Sequence, residues 1–93
     1  MVQKFIAEIH HQETIWQGRL FEIEGENLNE EKVREILEKV HNKTLEGLED
    51  DLWKGDDFKS KEGVIIKCVE NDYDYDSSEI IRGKAEYYVE SVK

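Results

Sequence analysis

The sequence predicts an α+β fold, a four-stranded antiparallel sheet in the order ββα(α)ββ with one or two helices packed on one face. Three observations predict it. Two segments before residue 25 carry strand-like apolar residues, residues 29–40 have clean helical spacing, and Val64-Ile65-Ile66-Lys67-Cys68-Val69 is a β-branched run. At 93 residues the chain makes a single α+β domain, residues 1–93, with no repeat and no linker.

Val2 to Ile9 reads as a first strand, with Phe5, Ala7 and Ile9 on one face and Lys4 and Glu8 on the other. His10 to Glu13 reads as a polar break. Thr14 to Glu24 reads as a second strand that pairs with the first as a hairpin. Gly18 and the adjacent Leu20-Phe21 break its period and predict a bulge or sharp bend there. Gly25-Glu26-Asn27 ends it.

The helix that follows has a complete set of start signals. Asn29 is placed to cap it, Leu28 and Val33 to form a hydrophobic staple, and Glu30 and Glu31 to favour the dipole. Val33, Ile36, Leu37 and Val40 form one apolar stripe. Thr44 to Trp53 has helical spacing at Leu45, Leu48, Leu52 and Trp53, so a short second helix is expected, weakened by Gly47. Trp53 is expected in the core. Asp56 to Gly63 reads as a polar connection and Glu62 to Glu70 as a strand. Ile80 to Val92 fits either period; Gly83 and Tyr87-Tyr88-Val89 favour a strand over a helix. Its turn with the preceding strand makes a second hairpin.

Charge is the main functional signal. The chain has 23 acidic and 13 basic residues, a net charge of −10. Glu46–Asp57 and Glu70–Glu79 account for all of it, and the remainder is neutral. Such acidity disfavours direct contact with nucleic acid or an anionic membrane, and a basic protein surface is the complementary partner. No apolar run approaches the roughly 20 residues of a membrane span and no leader is evident, so a cytoplasmic location is expected. The single Cys68, inside an apolar run, reads as a small buried hydrophobe.

Asp72, Asp74 and Asp76 imitate the start of a calcium loop, but Ser77 stands where that loop needs Gly and Gly83 where it needs a bidentate Glu. Adjacent His10 and His11 point to opposite strand faces, and with no cysteine cluster a zinc site is not expected. No nucleotide-binding or nucleophile motif is present, so the chain reads as non-enzymatic and free of cofactors.

Tyr73 and Tyr75 interleave with the aspartates. An extended segment would project Asp72, Asp74 and Asp76 from one side about 6.8 Å apart and the rings from the other. Carboxylates would then stand in for phosphates and rings for bases, which arginines and lysines of a nucleic-acid groove accept. The expected partner-binding residues are Asp72, Tyr73, Asp74, Tyr75, Asp76 and Glu79, with Glu49, Asp50 and Asp51 as a second set. In size and charge alone, the chain resembles the small acidic proteins of phage anti-defence, anti-CRISPR and anti-restriction. The reading is therefore an inhibitor that occupies a basic groove of a nucleic-acid-binding partner. The alternatives are an adaptor binding through a sheet edge or helix face, and a small-ligand binder.

Overall fold

The structure, a computed structural model, describes residues 2–12, 16–48, 50, 52–74 and 84–92. It is α+β, with one helix and a five-stranded antiparallel sheet in the order β3-β4-β2-β1-β5. The strands are β1 (Val2–Gln12), β2 (Trp16–Glu26), β3 (Asp57–Lys59), β4 (Ile65–Asp74) and β5 (Lys84–Val92); α1 is Glu30–His41.

β1 and β2 pair along their whole length, from Val2 opposite Glu26 to Gln12 opposite Trp16. The polar break expected at His10 is therefore absent up to Gln12, because both histidines are accommodated, His10 on one face and His11 on the other. Phe5, Ala7 and Ile9 of β1, Phe21 and Ile23 of β2, and Ile66 and Cys68 of β4 face α1 and bury against Val33, Leu37 and Val40. Helix and sheet thus share one core, and among the described residues the opposite face of the sheet has no helix over it.

The helix begins and ends as local chemistry dictates. The Asn29 side chain accepts from the Lys32 amide at 2.8 Å, and Leu28, just before it, is buried. At the other end Thr44 N–H donates to the Lys39 carbonyl and Lys43 N–H to the Val40 carbonyl, closing the last turn with Lys43 at φ 59°.

Three expectations are corrected. The second helix does not form: Gly47 has φ +87° and lies against the Phe58 ring, so the chain turns where a helix would continue. Leu52 is buried instead, and Trp53 is 51% exposed, not in the core. The sheet has five strands, because β3 lies inside the supposed polar connection and pairs with the start of β4 through a Ser60–Val64 turn. The second hairpin is therefore β3–β4. β4 and β5 do not pair with each other; β4 adds to β2 and β5 to β1, on opposite sides of the first hairpin. The strand reading of the last segment holds over Lys84–Val92.

Lys43 holds a left-handed conformation that costs a residue with a Cβ about 1 kcal/mol. Lys43→Gly is expected to raise stability by about 0.5 kcal/mol, and Asn29→Ala to lower it by about 1 kcal/mol. Thermal unfolding of the two variants beside the parent checks both signs.

Candidate functional site: the open face of the sheet

A register shift between Leu20 and Phe21 of β2 determines what the open face carries. Phe21 faces Cys68 and Leu20 faces Glu70, so Val69 is the extra residue on β4. The expected irregularity is there, but the inserted residue lies on the opposing strand. Before it, Ile66 and Cys68 point to the core. After it the parity reverses: Asn71 pairs with Arg19 on the helix side, while Glu70 and Asp72 come to the open side. Without the bulge, strict alternation from Cys68 would aim Glu70 and Asp72 at the core.

The neighbouring strands add to this row. Glu22 and Glu24 of β2, Glu8 of β1, and Glu86 and Glu90 of β5 have the same facing by register. Among residues whose side chains are described, nine carboxylates share this side of the sheet with three lysines, Lys4, Lys59 and Lys67. Lys4 reaches Glu22 at 3.7 Å. Glu24, Glu70, Asp72 and Glu90 make no ion pair with any described residue. Arg19, Lys32, Arg34 and Lys39 lie on the helix side, while Lys4, Lys59 and Lys67 share the open face with the carboxylates.

The face has a shallow hollow of about 180 Å³ where Gly18 leaves space between Asp72 on β4 and His10 on β1, with Leu20, Glu70 and Glu8 around it. His10 is hydrogen-bonded to Glu8 at 3.0 Å, and its ring meets the edge of Tyr88 at 5.1 Å. The Tyr88 hydroxyl donates to Glu86. That bond, with the Glu86 charge, raises the Tyr88 hydroxyl above its ordinary pKa.

Of the residues singled out in the sequence, Asp72 is exposed on this face. Tyr73 and Asp74 belong to β4, paired with Gln17 and Trp16 of β2. Asp50 is exposed in the connection between α1 and β3, beside a depression that Leu52 and Phe58 also line. Tyr75, Asp76, Glu79, Glu49 and Asp51 lie outside the described residues. The sequence reading missed Glu8, Glu22, Glu24, Glu86 and Glu90. Their alternation with apolar neighbours was the available signal, but it acquires meaning only once strand order is known.

On the helix side, a polar cluster fills the end of the core. Arg19, 4% exposed, donates from Nη2 to His41 Nδ1 at 2.7 Å, and His41 contacts the rings of His11 and Tyr87. An arginine offers only donors, so His41 Nδ1 must be the acceptor. The cluster ties the last turn of α1 to β2. Among the described residues no group of three or more His, Cys, Asp or Glu side chains is arranged to hold a metal ion. No helix among the described residues is long and apolar enough to cross a membrane. No family model, curated protein or solved structure matches the chain.

Two measurements follow. Like charges crowd the open face, so raising NaCl from about 0.01 to about 1 M, which shortens the screening length from about 30 to about 3 Å, is expected to raise Tm. Glu70→Lys should raise Tm at low salt and reduce that salt effect. Cys68 is buried, and desolvation pushes its thiol above the ordinary value, Arg19 opposing and Asp56 adding to the shift. The unfolded thiol, near pH 8.5, therefore ionises first, and stability should fall as pH rises past about 8.5. A thiol reagent at pH 8 should label the native chain slowly and the denatured chain at once.

Proposed function

We propose that this chain is a non-enzymatic, protein-binding inhibitor that occupies a basic groove of a nucleic-acid-binding partner by mimicking nucleic acid. The observation that supports it is the row of unneutralised carboxylates on a rigid, helix-backed sheet. Consecutive positions facing the same side of a strand are about 6.8 Å apart, so Glu70 and Asp72 offer regularly spaced negative charge, with Glu24 and Glu90, likewise without an ion pair among the described residues, on other strands of the face. A fixed row costs little ordering on binding and presents arginines and lysines with charge-assisted acceptors. The footprint moves from the aspartate-rich turn to the sheet face, with Asp72 as the residue common to both. The reading needs no metal or cofactor. Its biological setting, phage anti-defence of the anti-CRISPR or anti-restriction kind, follows from size and charge.

Immobilised chain exposed to a cell lysate tests it, at low and high salt, with and without DNA or RNA as competitor. Mimicry predicts retention of nucleic-acid-binding proteins, steep loss between about 0.05 and about 0.2 M salt, and displacement by nucleic acid. The paired substitution Glu70→Lys with Asp72→Lys should reduce retention at least about tenfold. Retention that survives salt, competitor and the paired substitution would replace mimicry with the adaptor reading.

A further inference from the structure

The open face is not acidic throughout. Val2, Ile6, Tyr88 and Val92, four of the five large apolar residues exposed among the described residues, all lie on it, with exposures of 38–60%. Register places them along a single seam. Lys4 faces Val92, Ile6 faces Glu90 and Glu8 faces Tyr88, so Val2, Val92, Ile6 and Tyr88 follow one another diagonally along the β1–β5 boundary. Six residue steps separate the level of Val2 from that of Tyr88, a stripe of about 20 Å.

Carboxylates flank the stripe on both sides. Glu86 and Glu90 stand on the β5 side, and Glu8, Glu22 and Glu24 on the β1–β2 side, with the cation Lys4 opposite Val92 and paired with Glu22. Beside it is a shallow depression of about 400 Å³ that wraps the β5 edge, lined by Ile6, Glu8, Tyr88 and Glu90 and, from the helix side, by Arg34 and Val89. Tyr88 is pinned by its bond to Glu86 and its contact with His10, so its exposed ring is already ordered. A pre-ordered aromatic anchor with a charged surround is the anatomy of a binding centre.

We infer that the occupant of this face is a basic amphipathic helix of the partner, its apolar face on Val2, Ile6, Tyr88 and Val92 and its flanking lysines and arginines on the carboxylates either side. A helix of about 13 residues matches the 20 Å stripe and presents apolar side chains at i, i+3, i+4 and i+7. Charge complementarity selects this occupant over a second copy of the chain, whose own acidic face would be repelled. A bare phosphate-binding groove would match the carboxylates and leave the stripe exposed. The inference rests on the proposed basic partner and specifies its shape.

The probe is a 14-residue peptide of leucine and lysine with helical periodicity, compared with a scrambled peptide of the same composition, each titrated against the full chain by fluorescence anisotropy. The periodic peptide is expected to bind about tenfold tighter than the scramble. Ile6→Ser with Tyr88→Ser should erase that difference, Tyr88→Phe should keep it, and Glu24→Lys with Glu90→Lys should weaken both peptides alike. Circular dichroism and Tm confirm that each variant is folded, and the single Ile6→Ser replaces the pair if it is not. Equal binding of the two peptides, weakened only by the charge reversals, overturns the helix inference and leaves the acidic-face reading standing. Binding of neither peptide, even at low salt, overturns both.

Discussion

The β4 part of the functional face depends on one inserted residue. Val69 has no partner of its own on β2, and that reverses the facing of every β4 residue after it. The energetic reason is asymmetric. Ile66 and Cys68 must remain under α1 to complete the core, and Glu70 and Asp72 cannot be buried there without a prohibitive desolvation cost. A strand with a strict period of two cannot satisfy both demands, and a bulge can. The inner half of β4 is thus a core strand and its outer half a charged display.

The helix was readable because its signals are local. Asn29, Leu28, Val33 and the acidic first turn are neighbours in sequence, and each acts on atoms within a few residues. β1 and β2 were readable for a similar reason, through the alternation of Phe5, Ala7 and Ile9. What escaped depends on distant partners. β3 is three residues long and exists only because Ile65–Lys67 offers it a ladder. The expected helix over 44–53 had the right spacing of leucines. Gly47 against Phe58, a contact eleven positions away, decided the other way. Strand order was beyond local pattern altogether, since nothing in β4 or β5 announces that they flank the first hairpin on opposite sides.

The same limit explains the candidate site. Along the sequence, negative charge concentrates in two segments, and the rest sums to zero. In space that neutral remainder brings Glu8, Glu22, Glu24, Glu86 and Glu90 from three strands onto one face, where Lys4, Lys59 and Lys67 offset only part of their charge. Net charge over a window therefore hid half of the acidic face. Asp72 was identifiable because its neighbours in sequence are acidic too; Glu90 was not, because its carboxylate neighbours belong to other strands. The hydrophobic residues were hidden in the same way. Ile6 read as one more strand residue, and its companions Tyr88 and Val92 are more than eighty positions further on.

Arg34 gives the architecture another property. β5 is an outermost strand, yet the guanidinium of Arg34, held by Glu30 at 3.2 Å, donates to the outward carbonyl of Tyr87 at 2.8 Å. A hydrogen-bonding position that a second molecule would need for fibrous growth is already taken from within. During synthesis, however, β5 emerges after the other four strands, and until it arrives β1 has one flank bare. The nascent chain is most exposed to sticking to its siblings in that interval, and the arginine closes the interval once the last strand has docked.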